Sequence, residues 1–270
     1  MTPAGFRKTV WKYYRTHGRH ELPWRKTKDV YKILVSEVML QQTQVERVVP
    51  FYKKFIKQFP TAKRLASVPL SSVLQAWQGL GYNRRAKMLH HAAQELSKIP
   101  KSSYRTYFVE GGMTVDELQK LPGVGPYTAR AVAAFAYNTN VIFVETNIRT
   151  VIIHHFFSRR SAVEDTEVLE VLKKVFPKGR AREWYSALMD YGASLKKFGV
   201  KVNAKSKTYA KQAKFAGSLR EARGAIVRAY TKGTKSRTRL IGALGSSRRK
   251  QMKRALEALV KEGLISENLL

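Results

Sequence analysis

Apolar residues recur every three or four positions through most of this chain, and short breaks marked by glycine, proline or polar residues separate the stretches. That spacing predicts amphipathic helices over about 4–17, 29–41, 44–58, 62–67, 70–77, 83–97, 114–120, 126–137, 148–157, 165–176, 181–195, 221–230, 237–244 and 247–262. Strand-like signals are few. The order is that of an all-α fold with short connections.

Composition narrows the partners. The chain has 270 residues, of which 44% are hydrophobic. That is enough for one large domain or two smaller ones with real cores. Lys and Arg number 51 against 19 Asp and Glu, a formal net charge of +32. Such self-repulsion calls for a polyanionic partner, nucleic acid first and an anionic membrane surface second. The membrane reading is the weaker, since no run of about 18 apolar residues and no signal-peptide core occurs. There is no cysteine. This excludes disulfides, thiolate-held zinc and cysteine-ligated iron–sulfur clusters, and it fits a reducing cytoplasm.

The charge is uneven. Residues 196 to 254 hold 19 Lys or Arg and one acid, Glu221. Their first part, 196–216, reads as a basic loop. Residues 217–270 read as helix, short helix, helix and a Gly-marked turn. That order suits a small basic winged-helix or helix-turn-helix module, or a helical tail packed on the main domain.

Four stretches could carry chemistry. In "LQKLPGVGPYTARAVAAFA", Gly123 and Gly125 flank Val124, and Pro126 suits the first position of a helix. Glycines allow close backbone approach and the helix start offers unpaired N–H groups, so this hairpin can grip a phosphate without side chains. A plain αα-hairpin is the simpler reading. In "YKILVSEVMLQQTQVERV", Glu37 shares the apolar face of Ile33 and Leu34. Desolvation there favours a protonated carboxyl, a general acid; a structural pair with Arg25 or Arg85 is the alternative. Gln41, Gln42 and Thr43 follow, either a solvated helix end or a wedge of amides for a base stack. "LPWR" sets Trp24 beside Arg25, as base stacking or as a cover for the core edge. "QGLGYNRRAKMLHHAA" puts Tyr82, Arg84 and Arg85 at a Gly-flanked turn, suited to strand contact or to solvent. His90, His91, His154 and His155 form adjacent pairs that point about 100° apart on a helix, too divergent for a metal site. Glu145 ends the apolar run Val141 to Val144 immediately before a helical pattern. A carboxylate there offsets the helix dipole, with Thr146 or Asn147 available as the cap.

Taken together, "LPWR", "SEVMLQQTQV", "QGLGYNRRAKMLHHAA", "LPGVGPYTARAVAAFA" and "ALMDYGA" resemble, in this order, the MutY-type adenine DNA glycosylases of the helix–hairpin–helix superfamily. The resemblance covers about residues 5 to 195. It implies two helical subdomains with a DNA-binding cleft: 28–137 with the hairpin, and 1–27 plus 138–195. It also implies removal of adenine opposite guanine or 8-oxoguanine, from a flipped-out base. By the same resemblance Glu37 protonates the leaving adenine, and Trp24, Arg25 and Tyr127 surround it. Tyr127 stands where bifunctional lyases carry a Schiff-base lysine, which implies hydrolysis without strand cutting. Gln41, Gln42, Thr43, Tyr82, Arg84, Gly123, Val124, Gly125 and Thr128 fall at DNA-contact positions. The carbonyls of Gln119, Leu121 and Val124 match a monovalent cation site seen in relatives. Glu145 falls on the position of the catalytic aspartate that stabilises an oxocarbenium-like sugar.

Three departures stand out. Glu145 is longer than aspartate by one methylene, and a displacement of about 1 Å can cost about 10²-fold in rate. Most relatives carry a four-cysteine cluster loop where this chain has "SLKKFGVKVNAKSKTYAKQ", so no cofactor is expected beyond that cation. The 8-oxoguanine-reading domain of the family has no counterpart in the basic tail. The expectation is therefore a monomeric, monofunctional adenine glycosylase acting on mispaired double-stranded DNA at the cytoplasmic nucleoid, away from membranes. The alternatives are a glycosylase for thymine or uracil opposite guanine, and a lesion-recognising DNA-binding protein with impaired catalysis.

Overall fold

The computed structural model of this chain describes residues 1–99, 113–207, 214–266 and 268. Among them the helices are α1 (Pro3–His17), α2 (Val30–Leu40), α3 (Val45–Gln58), α4 (Ala62–Ala66), α5 (Leu70–Ala76), α6 (Arg84–Lys98), α7 (Val115–Gln119), α8 (Pro126–Tyr137), α9 (Thr146–Phe156), α10 (Asp165–Val175), α11 (Ala181–Lys197), α12 (Leu219–Thr231), α13 (Arg237–Gly242) and α14 (Arg249–Lys261). Short 3₁₀ turns occupy Pro23–Lys26, Val202–Lys205 and Ser246–Arg248. The fold is all-α, and every helix expected from periodicity is present with its ends within two residues. No described helix is long and apolar enough to cross a membrane.

The chain divides into two compact units. The first takes residues 1–34, 101–120 and 124–211; the second takes 35–100, 121–123 and 212–270. The division falls inside α2, at 34/35, and residues 212–270 belong to the second unit.

In the first unit, α9 and α11 pack together, with α1 laid across α10 and α11. Phe6, Val10, Ile148, Val151, Ile152, Val168, Leu172, Trp184 and Leu188 are fully buried there. Each such side chain contributes roughly 1.5–3 kcal/mol. Local signals start the helices: the Thr2 side chain caps α1 ahead of Pro3, and Thr114 and Glu117 close a capping box on α7. The described part of the expected basic loop is held on the first unit. Its 3₁₀ turn packs on α9, the Thr150 hydroxyl donates to Asn203 Oδ1 at 2.8 Å, and Val163 and Ser206 form an isolated parallel bridge.

In the second unit, α4 and α5 pack on α6. Phe55 sits edge-on to Trp77 at 5.9 Å and to Phe59 at 4.9 Å. Helices α12, α13 and α14 close on one another around Ile226, Leu240, Met252, Leu256 and Leu259, all fully buried, and α12 packs on α5. Among the described residues of 217–270 there is no strand; the module there is three helices packed on one another, with α12 also packed on α5.

Candidate active site and nucleic-acid contacts

Glu145 belongs to the first unit. It is itself the N-cap of α9, not Thr146 or Asn147, and the helix begins two residues earlier than periodicity suggested. Its Oε1 accepts the Asn147 N–H at 2.7 Å and the Ile148 N–H at 3.2 Å. Its Oε2 receives only the Asn147 side-chain amide, at 3.3 Å. The side chain therefore curls back onto its own helix start, which places its carboxylate near the backbone despite the extra methylene. Burial pushes the carboxyl above its ordinary range, while the Asn147 and Ile148 N–H groups, the Asn147 amide and the Lys196 charge oppose that shift. Lys196 is pushed down by burial and up by Glu145.

Two neighbours hold this helix start. Gly192 of α11 is pressed against Asn147: an added Cβ would overlap the Asn147 carbonyl oxygen and lie 2.7 Å from its carbonyl carbon and 2.8 Å from its Cβ. Real Cβ atoms do not approach so closely, so the α9–α11 seam depends on glycine there. The second neighbour is an aromatic floor in the same unit. Tyr127 meets Phe143 edge-on at 5.6 Å, and Phe143 stacks on Tyr185 at 3.9 Å. The Tyr185 hydroxyl donates to the Val141 carbonyl at 2.7 Å, fixing the run that delivers Glu145. Gly125 caps α8, and Thr128 is buried on that helix.

Trp24 is buried on the 3₁₀ turn 23–26. Arg25 is turned to Asp190 of α11, donating to its two oxygens at 2.6 and 2.9 Å. Arg19 adds its backbone N–H at 2.8 Å and its Nε at 2.6 Å to the same carboxylate. Arg182 holds the turn from the other side, donating to the carbonyls of Phe135, Arg25 and Thr27. Burial alone would raise Asp190, but Arg25 and Arg19 together hold its carboxyl below the usual range. Sequence reasoning missed Asp190, although a lone acid inside the otherwise apolar "SALMDYGA" was a visible signal.

Glu37 belongs to the second unit. It lies in α2, 6% exposed. Beyond α2, two turns have strained backbones. Gln42 and Tyr82 lie at φ +57° and +48°, and the third such non-glycine residue, Asn138, is an ordinary helix C-cap. Left-handed backbone is costly for Gln and Tyr and tends to be retained at functional positions. Arg85 joins the two turns. Its NH1 donates to the carbonyls of Val38, Met39 and Gln41 at 2.8, 3.0 and 2.6 Å. Its NH2 reaches the Thr43 hydroxyl and the carbonyls of Leu80 and Gly81. Burial lowers its pKa to about 10, with Tyr82 opposing. Arg84, beside it, is exposed. Arg85 is thus a structural clasp, a role its sequence position beside Arg84 did not reveal.

The hairpin turn also has its backbone requirement. Gly123 lies at φ +76°, and a Cβ there would come within 2.5 Å of Met88 Cβ. Gln119 ends α7, and Leu121 and Val124 are buried. His90 Nε2 pairs with the Val68 carbonyl and His155 Nε2 with the Tyr191 hydroxyl, so both serve packing. No cluster of three or more metal-ligating side chains occurs among the described residues.

The all-α architecture agrees with the comparisons. Residues 35–178 match the HhH-GPD superfamily of base excision DNA repair proteins. The chain is 35% identical over 269 residues to an adenine DNA glycosylase of Mycolicibacterium smegmatis, covering 93% of this chain and 89% of that one. It is 36% identical over 194 residues to the adenine DNA glycosylase of Buchnera aphidicola subsp. Baizongia pistaciae, covering 72% of this chain and 53% of that one. It thus spans about half the length of the Buchnera protein. Among solved structures, a thermostable thymine-DNA glycosylase superposes with a TM-score of 0.57 at 25% identity, covering 71% of this chain and 86% of that one. An endonuclease III trapped as a covalent intermediate with DNA superposes at 0.55 and 22% identity, covering 74% and 89%. The chain belongs to the adenine DNA glycosylase family within the HhH-GPD superfamily.

Proposed function

We propose that this chain hydrolyses the N-glycosidic bond of adenine paired with guanine or 8-oxoguanine in double-stranded DNA, without cutting the strand. The observation that carries the reading is 35% identity along nearly the whole of an adenine DNA glycosylase, with a buried Glu37 on α2 and a helix-capping Glu145 at the motif positions. The adenine enters the pocket flipped out of the stack. Glu37 donates its proton to the base, the bond from the sugar C1′ breaks with its electron pair leaving on adenine, and positive charge develops on the sugar. Glu145, through the weakly held Oε2, stabilises that charge until water adds. Its curled conformation is the reason the longer side chain can replace aspartate. Tyr127 has no amine, so no imine forms there. Trp24 and Tyr127 supply the apolar walls, while Arg25 holds the wall in place through Asp190.

DNA is held by the hairpin backbone at Gly123, Val124, Gly125 and Thr128, with the Gln119, Leu121 and Val124 carbonyls able to take a monovalent cation. Gln41, Gln42, Thr43, Tyr82 and Arg84 meet the duplex at the two strained turns. Single-turnover release from duplexes holding A opposite G, A opposite 8-oxoguanine, T opposite G and U opposite G tests the reading. Adenine release from the first two, lost in Glu37→Gln and Glu145→Gln, is expected. Release of thymine or uracil in preference to adenine would overturn it.

A further inference from the structure

The C-terminal module has a charge distribution that the glycosylase reading does not use. Two of its acids are paired: Glu221 with Arg248 at 2.6 Å, and Glu262 with Arg223 at 2.6 and 2.9 Å. Helix α14 buries Met252, Ala255, Leu256 and Leu259 on one side. The other side exposes Arg249, Lys250, Lys253 and Arg254, none in a salt bridge with a described acid. Exposed Ser246 and Ser247 precede them, and exposed Arg239 lies on α13. The four cations cluster over the first half of that helix face, and the half-buried Glu257 follows them one turn later.

The module is pinned to the second unit at three places. Arg220 of α12 donates to the Tyr82 hydroxyl at 2.8 Å and lies over its ring at 5.5 Å. The Gln78 side chain bonds Thr231. Lys87 donates to the Glu262 carbonyl at 2.6 Å, just past the end of α14. Lys87 is the neighbour of Met88, the residue packed under Gly123 of the hairpin. One turn of α6 therefore carries both the hairpin glycine and the end of α14.

We propose that the exposed face of α14 is a second duplex-DNA contact, which grips backbone phosphates of undamaged double helix flanking those held at the hairpin. The cluster matches the phosphate backbone in sign, and the three pins fix it at a set place on the unit that carries α6 and Gly123. The span from Arg249 to Arg254 rises about 8 Å along the helix, about two base-pair steps of duplex. The contact reads charge rather than sequence. It is independent of which base is excised.

The test uses the full chain and undamaged duplexes. The variant Arg249→Gln, Lys250→Gln, Lys253→Gln, Arg254→Gln is compared with wild type for affinity against salt and against flank length. Each lost phosphate contact flattens the log–log salt slope by about 0.9, so a slope shallower by about 2 to 4 is expected. Trimming one flank a base pair at a time should weaken the wild type over a narrow range of about two base pairs and leave the variant unaffected. The charge-keeping variant Arg249→Lys, Arg254→Lys should retain the wild-type slope, and equal melting temperatures identify folded variants. An unchanged slope, an equal response to trimming, or binding lost only toward vesicles of anionic lipid would overturn the proposal.

Discussion

Asp190 is the acid on which the first unit's Arg cluster converges, and removing its charge gives a prediction with a definite size. Its side chain is 1% exposed and accepts four hydrogen bonds, three of them from guanidinium groups. The variant Asp190→Asn keeps the volume and deletes the charge. Arg25, 13% exposed, is then left as a nearly buried cation without its counter-ion. Breaking such a pair from one side costs about 3–5 kcal/mol. Arg19 is 31% exposed and water screens its share, so about 3 kcal/mol is expected. Three of the four tryptophans, Trp11, Trp24 and Trp184, lie in the first unit, so fluorescence in urea reports mainly on it. With a slope of about 2 kcal/mol per molar, the midpoint should fall by about 1.5 M at pH 7. The sign of the pH dependence follows from the depressed carboxyl of Asp190. Its stabilisation is complete above the unfolded value of about 3.9 and is lost as pH falls through the lower folded value. Wild type and variant should therefore converge in strong acid. A midpoint unchanged at pH 7, or a difference that does not shrink below about pH 4, would refute the ion-pair account.

Other expectations follow from the same geometry. Arg85→Met should destabilise the second unit by about 3 kcal/mol or more, because several carbonyls lose their donor, and Arg85→Lys should not restore it, since one ammonium cannot span both turns; urea midpoints decide both. Gly192→Ala should slow single-turnover adenine release by at least about tenfold with DNA affinity retained, because the overlap with Asn147 displaces the Glu145 cap; an unaltered rate would remove Gly192 from any positioning role. Glu145→Gln should abolish release yet raise the urea midpoint at pH 7. A buried carboxyl with a raised folded value adds stability below its unfolded value and loses it as pH rises through the folded one, so the gain from Gln should vanish near pH 4.

The helices were legible because the period of buried positions survives in sequence: α8 and α10 lie within a residue of their expected ends. Glu37 and Glu145 were legible as candidates because a carboxylate in an apolar run is conspicuous. That Glu145 would cap its own helix was not, since Thr and Asn beside it are better caps by propensity, and only the curl of the longer side chain excludes them. Arg25 and Arg85 were read as pocket, partner or strand residues because sequence cannot show which way a guanidinium turns. Their acceptors are Asp190, 165 residues away, and carbonyls up to 47 residues away. Helix order left the C-terminal module open between a winged or helix-turn-helix unit and a packed helical tail, and the packing of α12 against α5, across more than 140 residues of chain, was beyond any local signal.

The interleaving of the two units bears on how the chain is made. The second unit draws its helices from 35–100 and from 212–270, with most of the first unit encoded between them. During synthesis, α5 and Lys87 emerge long before α12 and Glu262 exist to meet them. At about 5–20 residues per second, the interval is roughly 7 to 35 s. Through that interval the nascent helices expose the apolar surface that α12 will cover, an opening for chaperones or for aggregation. A chain halted before its last sixty residues would leave both the surface and the interval without an end.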